Sequence, residues 1–149
     1  MKPLGSSIRS YVFVGVQFLC LGVILSTGPW IAKTPVLFLL ELGGGVLGIW
    51  AVMTMKLRHL SALPEIKANS PLQQGGPYRW IRHPMYSALL LVILALICES
   101  WSPWRGVFGV ILLVDLGLKL EYEESLLMRI FPEYADYQQN THKLIPWIW

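Results

Sequence analysis

Charge is scarce in this 149-residue chain: Asp, Glu, Lys and Arg together make up 14% of it. Two cysteines, Cys20 and Cys98, both sit inside apolar runs, where they are expected as buried small hydrophobes, and they are too few and too badly spaced for a zinc site. The three histidines, His59, His83 and His142, are scattered, and no pair has metal-ligand spacing. No Ser or Cys has an evident base partner, which removes the usual nucleophilic hydrolases. The glycine run Gly43-Gly44-Gly45 lies within an apolar segment and follows no strand, so it is not a dinucleotide-binding turn. Length leaves no room for a second, soluble module.

Hydrophobic residues, by contrast, are 54% of the chain and the mean hydropathy is +0.52, more than a water-soluble core requires. The expected architecture is all-α, an integral membrane protein with about four transmembrane helices in one domain, residues 1–149. The spans fall near 8–28, 35–56, 84–101 and 104–128, with a tail over 133–149, and the last helix leaves the bilayer after about Leu120. Gly28-Pro29, the Lys33-Thr34-Pro35 turn and Ser102-Pro103 punctuate the runs. Lys2 and Arg9 before the first run resemble a signal peptide, but no cleavage site ends it, so it is expected to be retained. Gly44 and Gly48, four apart, let another helix approach closely, within one chain or between two. The closing Leu144-Ile145-Pro146-Trp147-Ile148-Trp149 is expected at the interface.

Basic residues set the orientation. One side would hold Lys2, Arg9, Lys56, Arg58, Lys67, Arg79, Arg82, Lys119, Arg129 and Lys143, and the other only Lys33 and Arg105. Ten against two places both termini and the long 56–82 connection in the cytoplasm.

Polar chemistry gathers on that side. Gly75-Gly76-Pro77-Tyr78-Arg79-Trp80-Ile81-Arg82-His83-Pro84-Met85-Tyr86 brings two arginines, a histidine and three aromatic rings to the membrane surface. Pro84 suits the first position of a helix, whose free N–H groups would face back toward His83 and Arg82 and favour an anion. An interfacial anchor is the plain alternative, because Arg, Tyr and Trp collect at headgroup depth. Asp115, Lys119 and Glu123 are spaced i, i+4, i+8 on one face of the fourth helix. They allow either a local pairing around Lys119 or a binding site, and ionisable groups at a membrane mark function by default. Glu124 projects about 100° away from Glu123. Two diverging carboxylates suit an ammonium group and hydroxyls, while Arg82 and His83 suit a carboxylate. An amino acid head plus a ribose has those requirements. Methyl transfer from a sulfonium also needs no protein nucleophile.

At these residues the chain resembles the isoprenylcysteine carboxyl methyltransferase family, phospholipid methyltransferase-like integral membrane enzymes that use S-adenosylmethionine. Gly76-Pro77-Tyr78-Arg79-Trp80-Ile81-Arg82-His83-Pro84-Met85-Tyr86 is similar to its G-x-Y-x-x-x-R-H-P-x-Y signature. Glu123-Glu124, Leu127, Phe131, Tyr134, Tyr137 and Leu144-Ile145-Pro146 follow in the family's order. The resemblance implies cofactor contacts from Leu72, Gln73, Tyr78, Arg82, His83, Pro84, Met85, Tyr86, Glu123 and Glu124. It implies a pocket between the 70–86 connection and the end of the fourth helix. An amine or thiol acceptor would also have to lose a proton, and Lys119, Tyr86 or Glu124 could assist. Lys119 stands where the family has an arginine; lysine keeps the charge but not the planar fork that grips a carboxylate. Ser87 and Pro132 stand where the family usually has glycine, outside the proposed chemistry. The implied partners are membrane lipids and a lipid-soluble or amphiphilic methyl acceptor (a prenylated thiol acid, a phospholipid amine or a small thiol), with no nucleic acid and no metal. Two other readings remain open: an NADPH-dependent oxidoreductase like the membrane sterol reductases, and a non-catalytic four-helix scaffold.

Overall fold

The computed structural model describes residues 8–55 and 72–145. His59, Pro64 and Pro71 of the long connection, the basic residues Lys2, Lys56, Arg58 and Lys67, and the closing 146–149 lie outside the described residues. Among the described residues five α-helices follow one another: α1 Ile8–Ser26, α2 Pro35–Met55, α3 Pro84–Glu99, α4 Pro103–Ile130 and a short α5 Tyr134–Gln139. A 3-10 turn, Gly76–Arg79, precedes α3. Among the described residues there is no strand, only an isolated parallel bridge between Ile81 and His142. The fold is an all-helical integral membrane one.

Prolines begin three of the helices, α2 at Pro35, α3 at Pro84 and α4 at Pro103, where a fixed φ is useful and a missing N–H costs nothing. α1 and α2 are long and apolar enough to cross a membrane, whereas α3 is a shorter apolar helix. Its 16 residues rise about 24 Å, against a hydrocarbon core of about 30 Å. With 28 residues, α4 reaches about 42 Å, longer than the hydrocarbon core of about 30 Å.

α2 packs on α3 and α1 on α4. The first contact depends on Gly44: a Cβ there would lie 2.9 Å from the Ala88 carbonyl oxygen and 3.0 Å from Leu91 Cβ, and at Gly48 it would touch Ala88 Cβ. The small-residue stripe therefore serves packing within one chain. Between the pairs lies a core of Cys20 and Ile24 from α1, Ile93 and Ile97 from α3, and Leu112 and Leu116 from α4. Cys20 is a buried small hydrophobe there, whereas Cys98, expected to be another, lies exposed on the outward face of α3 near its end. Outward faces stay apolar, with Phe18, Leu39, Ile49, Leu94 and Val114 exposed, as lipid-facing helices require.

The end away from the site is closed by polar groups acting on backbone. Glu41 Oε2 accepts from Ala32 N at 2.8 Å and Glu99 Oε2 from Thr34 N at 3.0 Å, fixing the α1–α2 turn. The Arg105 side chain, fully buried, donates from Nη2 to Leu96 O at 2.7 Å and occupies the space a Cβ would fill at Gly28. Trp30, Trp101 and Trp104 stand exposed around this end, the pattern of an interfacial aromatic belt.

Candidate functional site

The opposite end is assembled by a strap from the tail. Arg82 N donates to His142 O at 2.8 Å, His83 N to Lys143 O at 3.1 Å, and His142 N to Trp80 O at 3.0 Å. Ser87 Oγ donates to Leu144 O at 2.6 Å, so this serine secures the tail. Tyr137 OH donates to Tyr78 O at 2.5 Å, and Tyr78 OH to Met55 Sδ at 3.6 Å. Burial, and secondarily the charge of Glu123, push the Tyr78 phenol up to about 12. Gly76 makes the turn possible: its φ is +57°, and a Cβ there would collide with the Thr54 side chain.

Within this frame α3 and α4 bring their charged residues together. Arg82 Nε meets Glu124 Oε1 at 2.6 Å, while its Nη1 donates to Gln138 O at 3.1 Å, to Thr141 O and to Thr141 Oγ1 at 3.3 Å. Gln138 Nε2 donates to the other Glu124 oxygen at 2.9 Å. His83 stands between the two glutamates, with Nε2 3.3 Å from Glu124 Oε1 and Nδ1 3.7 Å from Glu123 Oε2. Burial opposes charge on Glu124, yet hydrogen bonds from His83 and Arg82, and their charge, outweigh it and hold the carboxyl at about 2. A pair this enclosed is strongly destabilised when one partner alone is removed, by about 3–5 kcal/mol.

Glu123 is held differently. Tyr86 OH donates to its Oε1 at 2.5 Å, and its side chain is 21% exposed against 4% for Glu124. Glu124 thus braces the site from inside while Glu123 faces the opening. The Tyr86 ring stacks on His83, centroids 5.5 Å apart and 8° from parallel, and Lys119 Nζ lies 5.3 Å above it. Lys119 Nζ also donates to Gln17 Oε1 at 3.0 Å. The row of three on α4 is therefore cross-linked to α1 and α3 and is more than an intrahelical pairing. Gln17 was not among the expected site residues, although an amide interrupting the apolar run of α1 was the available signal.

Of the expected contact residues, Arg82, His83, Tyr86, Lys119, Glu123 and Glu124 form one cluster, and Tyr78 joins it through Tyr137. Pro84 is buried in the first turn of α3, and Met85, half-buried, faces an apolar groove beside Gly44 and Gly48. Leu72 and Gln73 lie half-buried ahead of the 3-10 turn, with Gln73 Nε2 over Gly75; among the described residues no hydrogen bond joins them to the cluster. Among the described residues no group of three His, Cys, Asp or Glu side chains is arranged to hold a metal ion.

The sequence profile of the phospholipid methyltransferase family matches residues 36–134. The chain belongs to that family. The matched stretch runs from α2 to the start of α5, so it contains both halves of the ion cluster but neither Gln17 nor the tail strap. Over 86 residues the chain is 33% identical to the cobalt-zinc-cadmium resistance protein CzcN of Cupriavidus metallidurans, covering 54% of this chain and 38% of that one. Its fold is similar to that of the eukaryotic intramembrane Ras methyltransferase, isoprenylcysteine carboxyl methyltransferase. The TM-score is 0.67 at 22% identity, over 95% of this chain and 50% of the other. The chain spans half or less of the length of both relatives.

Proposed function

We propose that this protein is a membrane methyltransferase that takes its methyl group from S-adenosylmethionine and delivers it to a hydrophobic or amphiphilic acceptor arriving from the bilayer. The observation that carries the reading is the meeting of His83 and Tyr86, at the start of α3, with a partly open Glu123 at the exit of α4. Membership of the phospholipid methyltransferase family supports it.

The residues present suit such a donor. Glu123, open on one side, offers a carboxylate to an ammonium group or ribose hydroxyls, and the His83 ring offers a hydrogen-bond donor to a carboxylate; the main-chain N–H groups of His83, Tyr86 and Ser87 are already bonded to Lys143 O and His83 O. Tyr78 and Pro84 flank the cluster, Leu72 and Gln73 would join the wall from the segment ahead of the 3-10 turn, and Met85 would reach it only from the α2–α3 groove. Arg82 and Glu124, bound to each other and to the tail, hold the frame. S-adenosylmethionine supplies an electrophilic methyl group, so no protein nucleophile is required. The chain's work is to align the acceptor and exclude water. Lys119 and Tyr86, on the membrane side of Glu123, face the acceptor; Glu124 is enclosed and acts through His83. In this reading both termini and the site are cytoplasmic.

Calorimetric titration of the detergent-purified protein with S-adenosylhomocysteine tests the assignment. Saturable binding is expected, weakened by at least tenfold in Glu123→Gln with the unfolding temperature unchanged, as for a lost charge-assisted hydrogen bond. Equal affinity in both proteins would remove Glu123 from the site.

A further inference from the structure

One turn inside Lys119 on α4 lies Asp115, 6% exposed, with an Oδ2 that is buried and has no hydrogen-bond partner among the described residues. Buried acceptors are almost always satisfied, and one left open calls for an explanation. Among the described residues, titratable groups from three elements lie within its electrostatic reach, Cys20 on α1, Tyr86 on α3 and Lys119 on its own helix. Gln17 of α1 is tied in through Lys119. Asp115 is about 12 Å deeper along the helix than Glu123, from a rise of about 1.5 Å per residue. It therefore lies on the lipid side of Tyr86 and Lys119, where an acceptor's head group would come to rest.

The charges decide what that head can be. Lys119 is one cation between two carboxylates, Asp115 and Glu123, and both act on it. A carboxylate head would add a third negative charge and bring no hydrogen to Asp115 Oδ2. A head with an N–H or S–H brings the missing hydrogen and no negative charge. We propose that Asp115 and Gln17 form the acceptor's head-group subsite and select an acceptor whose reacting head carries a hydrogen, an amine or a thiol, over a carboxylate. The inference rests on the methyltransferase reading, since it takes the Lys119 side of the cluster as the acceptor's side.

Three single-chain amphiphiles that differ only in their heads, dodecylamine, dodecanethiol and dodecanoate, test it. Their binding to the detergent-purified protein is followed by the shift in unfolding temperature, with and without S-adenosylhomocysteine, for wild type, Asp115→Asn and Gln17→Leu. In wild type the amine or the thiol should bind at least tenfold more tightly than dodecanoate; which of them does so names the acceptor. Asp115→Asn should abolish that preference, because an amide can donate to a carboxylate, and should leave S-adenosylhomocysteine affinity unchanged without lowering the unfolding temperature. Gln17→Leu should weaken the favoured head by a smaller factor. Dodecanoate binding as tightly as the others, no head binding at all, or an Asp115→Asn protein that keeps the preference would each overturn the proposal. So would loss of stability and of S-adenosylhomocysteine affinity together, the mark of a purely structural aspartate. Failure of wild type to bind S-adenosylhomocysteine would instead sink the methyltransferase reading, and the head preference measured without it would still judge the subsite.

Discussion

Arg82 shows how much of the site one side chain can organise. Its fork reaches Glu124, Gln138 and Thr141 at once, a geometry that an ammonium group cannot copy. Arg82→Lys should therefore destabilise the fold by about 1–3 kcal/mol, read as a lower unfolding temperature in detergent, although charge is conserved. Glu124 adds a pH dependence. Its carboxyl, held at about 2 from an ordinary 4.5, contributes stability that is fully present above the ordinary value and is lost as pH falls toward about 2. The unfolding temperature should thus fall on acidification below about pH 4.5, and Glu124→Gln should flatten that limb. His83, Tyr86 and the two glutamates could be read from the sequence because their order and spacing form a signature. Gln17 could not be assigned, because which way a single amide faces depends on how α1 settles against α4.

Among the elements, the α2–α3 contact is the most sharply specified. Gly44→Ala would press a methyl group onto the Ala88 carbonyl, a backbone atom that cannot step aside, and should cost about 1–3 kcal/mol. At Gly43 and Gly45 an added Cβ would meet nothing within 4 Å, so the same substitution there should be neutral or slightly stabilising. Thermal unfolding of the three variants separates a packing glycine from its neighbours. Hydrophobic runs and prolines made the long helices legible, since a bilayer enforces length and a proline enforces a start. The short α5 and the Ile81–His142 bridge were not legible. Neither has a periodicity of its own, and both form only because the tail finds partners some 60 positions earlier in the chain.

At the scale of the molecule the two ends are built by different means. The far end uses carboxylates on backbone amides and Arg105 on a helix C-terminus, contacts that close a turn. The near end uses paired charges that converge on an opening. Positive charge is concentrated at the near end, which predicts its side of the membrane. In a Cys98→Ala background, a cysteine replacing exposed Trp30 should react with an impermeant thiol reagent in intact cells. One replacing exposed Gln139 should react only after the membrane is opened. The reverse pattern would invert the orientation.

The strap also has a consequence for how the protein is made. Arg82, His83 and Ser87 enter the membrane surface early in synthesis, yet their backbone and side-chain partners at 138–144 are translated more than fifty residues later. The helices can insert long before the site exists. A nascent chain stopped after α4 would be embedded and still carry Arg82 and Glu124 without their tail partners Gln138 and Thr141, a state that membrane quality control could distinguish from the finished protein.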